Sequence, residues 1–241
     1  MRKRADIVLV ERGLFPSRTR AQAAIAAGLV SVGGVALQKP SEEVADDAPI
    51  EASAPHPYAS RGGLKLAAAL DAFALDPAGL VCLDVGASTG GFTDVMLQRG
   101  ARRVVAVDVG HGQLDKRLAA DPRVRSLEGL DARALTLEHI GEAPGAIDCD
   151  LSFISQRLVL PHVLTLAARP AWLVSLVKPQ FEVGPAEIVK GRVKSEAALA
   201  RACDETRACV VREGWTVLGL IPSPIPGGGG AREFLLGARH D

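Results

Sequence analysis

Apolar positions along this chain follow two rhythms. Short, nearly continuous apolar runs at Val81–Val85, Arg103–Val107, Ile147–Leu151, Ala171–Val177 and Trp215–Ile221 read as strands covered on both faces. Between them the spacing predicts helices near 62–74, 91–99, 112–119, 155–168 and 195–213. Strands alternating with helices predict an α/β domain with a doubly wound, mostly parallel sheet. Ligands of such sheets sit beyond the carboxyl ends of the strands.

The first fifty residues follow another pattern. Asp6 to Gly13 places Ile7, Val8 and Val10 on one face, and Gly13 closes the turn. Ser17 can cap a second helix through Ala27, with Ala21, Ala24 and Ile25 inward and Gly28 at its end. Leu29–Val32, a Gly33-Gly34 turn and Val35–Leu37 read as a hairpin. This predicts a small α+β domain over 1–52. The stretch 53–60, with two prolines and no apolar periodicity, reads as a linker, and the main domain runs over 61–241.

Composition narrows the class. With 241 residues and 48% hydrophobic content, the chain can bury a sizeable core and is not a disordered polymer. No apolar run reaches the roughly 18–20 residues that span a bilayer, and the basic start leads into no signal-peptide pattern, so no membrane partner is expected. The four cysteines have no C-x-x-C spacing, which fits small core residues in a reducing cytoplasm. The five histidines have no metal spacing, so no metal is expected. Trp172 and Trp215 fall in predicted strands and read as core, leaving Tyr58, Phe92 and Phe153 as the aromatics near the ligand edge.

Charge sums to zero, 28 basic against 28 acidic, but is unevenly placed. Residues 1–40 carry Arg2, Lys3, Arg4, Arg12, Arg18, Arg20 and Lys39 against Asp6 and Glu11; Glu42, Glu43, Asp46, Asp47 and Glu51 follow. Arg4, Arg18 and Arg20 fall near helix starts and, with Lys39, are candidate RNA contacts; the alternative is a solvated basic face. A second basic segment, Ile188 to Lys194, holds Lys190 and Arg192 and reads either as a substrate-facing lid or as an ordinary exposed loop.

The first strand of the main domain opens into Asp84-Val85-Gly86-Ala87-Ser88-Thr89-Gly90-Gly91-Phe92. Such a turn admits a ligand close to the backbone, or is simply a tight strand-to-helix connection. Asp108, 22 residues after Gly86, ends the next strand where a carboxylate can accept ribose hydroxyls. The spacing G-A-S-T-G-G differs from the dinucleotide fingerprint. Asp84 would repel a pyrophosphate yet suits an ammonium and a sulfonium, so S-adenosylmethionine (SAM) is the expected cofactor. Asp131, after the presumed third strand, is placed either to meet the adenine amino group or to cap a helix.

Methyl transfer to a hydroxyl needs the oxygen held in line with the sulfonium carbon and a group to receive its proton. A lysine–carboxylate cluster is a suitable device, and the candidates are Lys65, Asp150, Lys178 and Glu233. Asp150 and Lys178 end strands; taken singly, each of the four charges is as readily structural, its stem reaching for solvent.

Two resemblances add to this reading. The segment from Arg4 to Pro40, with its Ser-Arg-x-x-Ala core, Gly-x-Val turn and closing Lys-Pro, resembles the small RNA-binding domain first named for a ribosomal small-subunit protein. Across the chain, YASRGGLKL, LDVGASTGGFT, CDLSFIS, LVKPQFEVG and GAREFLL occur in the order of the TlyA family, often labelled haemolysins. That resemblance implies an FtsJ-like, Rossmann-like methyltransferase domain that methylates a cytidine 2′-hydroxyl in ribosomal RNA of assembled subunits, using SAM. It carries the family's Lys-Asp-Lys-Glu tetrad onto Lys65, Asp150, Lys178 and Glu233, and the shortness of the chain implies the large subunit. One departure stands out: Ala231 occupies a position where the family usually has Asn, which puts the seat of Glu233 in question. The rival readings are a membrane-active haemolysin and a ribosome-binding assembly factor with a degenerate site. The oligomeric state is not encoded in any motif.

Overall fold

The structure, a computed structural model, describes residues 2–54, 56–193 and 195–241. The chain divides into two compact units between Pro57 and Tyr58.

In the first unit, helices Ala5–Glu11 and Arg18–Ala26 stand with a strand pair, Arg2–Arg4 against Glu43–Ala45. A three-stranded antiparallel sheet, ordered Val35–Ala36, Val30–Val32, Ile50–Ala52, completes it. Leu9, Phe15, Ile25, Val30 and Val44 share its core. Ser17 caps the second helix by accepting the Arg20 N–H, and the hairpin turns at Gly33-Gly34. The acids that follow the basic run in sequence fold back onto it. Lys3 Nζ lies 2.8 Å from Glu11 Oε2 and 3.8 Å from Asp46 Oδ1, and Glu42 accepts the N–H groups of Gln38 and Lys39.

In the second unit seven strands form one sheet. They are β1 (Val81–Val85), β2 (Arg103–Asp108), β3 (Val124–Glu128), β4 (Ala146–Cys149), β5 (Ala171–Val177), β6 (Thr216–Pro222) and β7 (Phe234–His240). Their order across the sheet is β6-β7-β5-β4-β1-β2-β3, and β7 alone runs against the rest. Helices Gly63–Phe73 and Gly91–Gln98 cover one face, joined there by Cys82, Val174 and Leu235. Leu160–Leu164 and Glu196–Arg212 cover the other, with Leu83, Ile147 and Leu173. Both faces of the central strands are therefore dry, as their unbroken apolar runs require. All four cysteines are buried thiols.

Several boundaries differ from the sequence expectation. Residues 58–60, expected in the linker, belong to the second unit: the Ala59 N–H donates to Asp94 Oδ2 at 2.7 Å, and a Cβ at Gly63 would meet the Tyr58 ring. Pro55, within the same linker, lies outside the described residues, as does Lys194 of the basic segment. The helix expected over 155–168 is a turn, Gln156–Leu158, followed by Leu160–Leu164, because Pro161 has no N–H to continue a longer helix. Strand β4 stops at Cys149, two residues early, which frees Asp150 to Ile154 as a connection over the sheet edge. Strand β7 was not among the expected strands; Gly237, Arg239 and His240 interrupt its apolar pattern.

Candidate active site

Parallel register sets the site. Asp84 of β1 lies beside Asp148 of β4, so that Gly86 and Asp150, two residues on, fall beside each other past the strand ends. Val177 of β5 pairs with Phe234 of β7, which places Lys178 and Glu233 on the next rung. Strand alternation then puts Asp150, Lys178 and Glu233 over the face covered by helix Gly63–Phe73, the helix that carries Lys65.

The four side chains form two ion pairs. Lys65 Nζ meets Glu233 Oε2, both side chains under one-tenth exposed. Lys178 Nζ lies 2.5 Å from Asp150 Oδ1 and donates to Ser152 Oγ at 2.8 Å. The Lys178–Asp150 approach is a charge contact without hydrogen-bond alignment, since Asp150 Oδ1 accepts no aligned donor. Buried charges persist only where they are paired, so each lysine is held by the carboxylate that shares its burial.

The concern raised by Ala231 has a structural answer. Ala231 is buried, and the Gly227 N–H donates to its carbonyl at 2.8 Å, closing the Gly227–Ala231 turn through backbone. Arg192 Nε reaches the Gly229 carbonyl at 2.8 Å and braces the same turn. The Glu233 carboxylate rests on Gly227, where a Cβ would overlap it. Glu233 is therefore seated without an asparagine.

Beside these pairs opens a cavity of about 600 Å³, lined among others by Gly86, Ser88, Asp108, Gln113, Asp131 and Asp150. Asp108 Oδ2 accepts the Ser88 N–H at 2.8 Å, and Oδ1 the Gly110 N–H at 2.7 Å, so its carboxylate is fixed at the cavity wall. Gly86, at φ 92°, lies so close to the Asp150 carbonyl that a Cβ would collide with it; only glycine fits both the turn and the approach. Asp131 lines the cavity but also caps the Ala132–Ala134 turn and pairs with Arg133, whose guanidinium holds its carboxyl down at about 2. A carboxylate fixed beside a cradle without side-chain bulk suits a ribose, and the cavity's size suits an adenosyl group.

Five of the nine residues expected to hold the cofactor are elsewhere. Asp84 is fully buried beneath the next helix, accepting the Thr93 N–H at 2.9 Å and the Thr93 hydroxyl at 2.5 Å. Desolvation pushes its carboxyl up to about 6. It anchors the helix that follows the loop and does not line the cavity. Gly90 packs on Leu114 and Leu118, Gly91 on Ser60, Phe92 joins the core, and Thr89 points to solvent. The reason is alternation: a residue two before Gly86 shares a face with the covering helix, and the helix start turns away from the ligand edge. Gln113 and Gly110 were missed; Gln113 accepts the Ser88 hydroxyl at 3.1 Å. The Gly110-His111-Gly112 sequence just past Asp108 was the available signal.

The remaining candidates sit as follows. In the first unit Asp6 is fully buried and takes Arg4 Nε at 3.0 Å, Arg18 Nη2 at 2.8 Å and Gln22 Nε2 at 2.6 Å. Arg4 first, then Arg18 and Gln22, hold its carboxyl well below the usual range. Arg4 and Arg18 are about half exposed, so the carboxylate aims two guanidinium groups at solvent. Arg20 is partly buried and Lys39 exposed. Lys190 is exposed at the tip of the Ile188–Val193 hairpin, whereas Arg192 is directed at Gly229. Phe153 is 91% exposed, in the left-handed region at φ 65°, with its ring 5.1 Å from that of Phe181.

A seven-stranded sheet with one reversed strand, a glycine turn at its switch point and an acid ending the next strand define the fold of SAM-dependent methyltransferases. Residues 58–240 match the FtsJ-like methyltransferase family and residues 3–49 the S4 domain. The chain is 45% identical over 248 residues to the 16S/23S rRNA (cytidine-2′-O)-methyltransferase TlyA of Mycobacterium tuberculosis, covering 99% of this chain and 90% of the relative. It is 35% identical over 180 residues to the 23S rRNA (cytidine-2′-O)-methyltransferase TlyA of Campylobacter jejuni, covering 73% and 69%. A solved Streptococcus thermophilus structure labelled a hemolysin superposes with a TM-score of 0.77 at 40% identity, covering 99% and 88%. The chain belongs to the FtsJ-like methyltransferase family, in its TlyA branch, and its methyl donor is SAM. Among the described residues no helix is long and apolar enough to cross a membrane.

Proposed function

We propose that the chain methylates the 2′-hydroxyl of a cytidine in ribosomal RNA, within a ribosomal subunit in the cytoplasm. The observation that carries this is the meeting of Lys178, Asp150 and Ser152 at the rim of the adenosyl-sized cavity, with Lys65–Glu233 on the adjoining strand. Gly86, Ser88, Asp108 and Asp131 would hold the donor. When bound, SAM supplies an electrophilic methyl carbon whose bond to sulfur breaks as the bond to the ribose oxygen forms.

The protein's part is positional and electrostatic. Lys178 Nζ, held as an ammonium by Asp150 and donating to Ser152, meets and polarises the 2′-oxygen, and the Asp150 carboxylate beside it can receive the hydroxyl proton. Lys65 and Glu233 grip the ribose and set the charge around Lys178. Phe153, exposed beside the site, offers a face on which an unstacked base can rest. In the S4 domain, Arg4, Arg18, Arg20 and Lys39 take phosphates, and Lys190 adds charge in the catalytic unit.

The 23S molecule is common to both named relatives, which supports the large subunit as the substrate. The test incubates purified protein and methyl-labelled SAM with large subunits, small subunits and protein-free rRNA, then maps ribose methylation by reverse transcription. Label on a single large-subunit cytidine supports the proposal. Label on a base or on protein, or none despite demonstrated SAM binding, overturns it; label on small subunits alone overturns the subunit preference. The degenerate-site reading loses its motive because Glu233 is seated despite Ala231.

A further inference from the structure

The segment that carries Asp150, Ser152 and Phe153 is fastened at both ends. At its start the Asp150 N–H donates to the Val85 carbonyl at 2.9 Å. At its far end the fastener is Glu182, at the close of the single turn Pro179–Glu182 that follows Lys178, and only 6% exposed. Glu182 Oε1 accepts the Gln156 N–H at 2.8 Å, while Oε2 accepts the Ser155 hydroxyl at 2.5 Å and Arg157 Nε at 3.2 Å. Arg157 also donates to the Glu182 carbonyl at 2.9 Å and pairs with Glu205 of the long helix at 2.5 Å. Gln156, 1% exposed, extends the same stitching: its Nε2 donates to the Leu176 carbonyl and its Oε1 accepts the Ser175 hydroxyl, both on β5.

This carboxylate does not line the cavity and belongs to neither of the two lysine ion pairs. Its bonds instead tie the connection that follows Asp150 to the turn that follows Lys178, a few residues beyond each reactive group. A charge-assisted, nearly dry carboxylate with three donors is a rigid joint. The five residues between the anchors include Phe153 in a left-handed conformation, which an L-residue keeps only when its surroundings hold it there.

We propose that Glu182 is a positioning residue: it locks the Asp150–Gln156 segment to the strand end bearing Lys178, keeping Asp150 and Ser152 on the lysine and Phe153 facing outward. The inference rests on the methyltransferase reading above, and its test separates the two. In the full-length chain, Glu182→Gln keeps shape and the bond from the Gln156 N–H but loses the charge; Glu182→Ala loses every side-chain bond; Ser155→Ala removes one bond to Glu182 together with the cap on the Arg157 N–H. Two readouts are taken on each: amide hydrogen exchange of residues 150–158, and turnover with ribosomal subunits.

Exchange over 150–158 should quicken in the order wild type, Ser155→Ala, Glu182→Gln, Glu182→Ala, with exchange in Val81–Val85 unchanged. Turnover should fall about tenfold in Glu182→Gln and about 100-fold in Glu182→Ala, the scale on which angstrom displacements of catalytic groups act. KM for the subunit should stay within about twofold of wild type, because the phosphate contacts are untouched. If Glu182→Ala does not fold, Glu182→Gln and Ser155→Ala decide. Unaltered exchange over 150–158 in a folded Glu182→Gln overturns the inference, as does full turnover in that variant. If wild type transfers no methyl group to rRNA, the functional reading fails, while the exchange series still judges the lock.

Discussion

Replacing Asp148 with asparagine should remove a pH dependence that the wild-type fold carries. Asp148 is fully buried, and no donor group reaches either of its oxygens or Asp84 Oδ1. The two carboxyls lie in register on adjacent strands, away from water and with no donor on these oxygens, an arrangement that favours a proton kept on Asp148. Desolvation first, then the neighbouring Asp84 charge, raises Asp148 well above its ordinary 3.8; Asp84 is raised to about 6. Cys82, Cys149 and Asp150 are the other titratable groups around the pair, and burial pushes both thiols up.

The sign follows from proton counting. Above pH 3.8 an unfolded Asp148 is ionised while the folded one keeps its proton. The stability this proton contributes is complete below 3.8 and is lost as pH rises toward the folded value. For one proton the loss accrues at no more than about 1.4 kcal/mol per pH unit. Asparagine has nearly the same shape and offers Asp84 an N–H, but does not titrate. Asp6, Asp121 and Asp131, held low by arginines, act in the opposite sense: their contribution disappears as pH falls below the ordinary value, outside this window. Urea unfolding followed by tryptophan fluorescence reads the right unit, because Trp172 and Trp215 both belong to it. The stability difference between Asp148→Asn and wild type should widen in the variant's favour as pH rises from 5 to 7, by no more than about 1.4 kcal/mol per unit. A difference that stays constant across that range would refute the retained proton.

Lys178→Ala should lower methyl transfer by about 10³-fold while calorimetric SAM affinity stays within about twofold, since the lysine is not part of the cavity lining. Asp108→Ala should weaken SAM at least about tenfold through the lost carboxylate and the two loop N–H groups it releases, a loss of about 1.4 kcal/mol; unchanged affinity would remove Asp108 from the cofactor site. Arg18→Ala leaves Asp6 with Arg4 and Gln22, and should weaken rRNA binding and reduce its salt slope by about one, with SAM affinity unchanged. A fall in SAM affinity there would refute the division of labour between the units.

Much of this protein is legible without coordinates. The Ser17 cap, the Gly33-Gly34 hairpin, the five apolar strands and most helix centres come from short-range rules, which act within a few residues and therefore survive in the one-dimensional pattern. The order of the motifs carried Lys65, Asp150, Lys178 and Glu233 as candidates. Strand β7 escaped because its pairing with β5 and β6, not its own composition, makes it a strand.

What tertiary structure alone decided is who meets whom. Lys65 and Glu233 are 168 residues apart, and nothing local says that they pair with each other while Lys178 takes Asp150. Asp84 sits next to the glycine turn in sequence yet turns under the helix, because strand alternation sends neighbours to opposite faces. Glu182 and Asp148 look like ordinary acids in the sequence; burial makes one a lock and the other a proton holder. The physical reason is common to all of these. Local preferences fix backbone elements, but the charge state and role of a side chain depend on what excludes water from it, and in this fold those groups come from strands and helices distant in sequence.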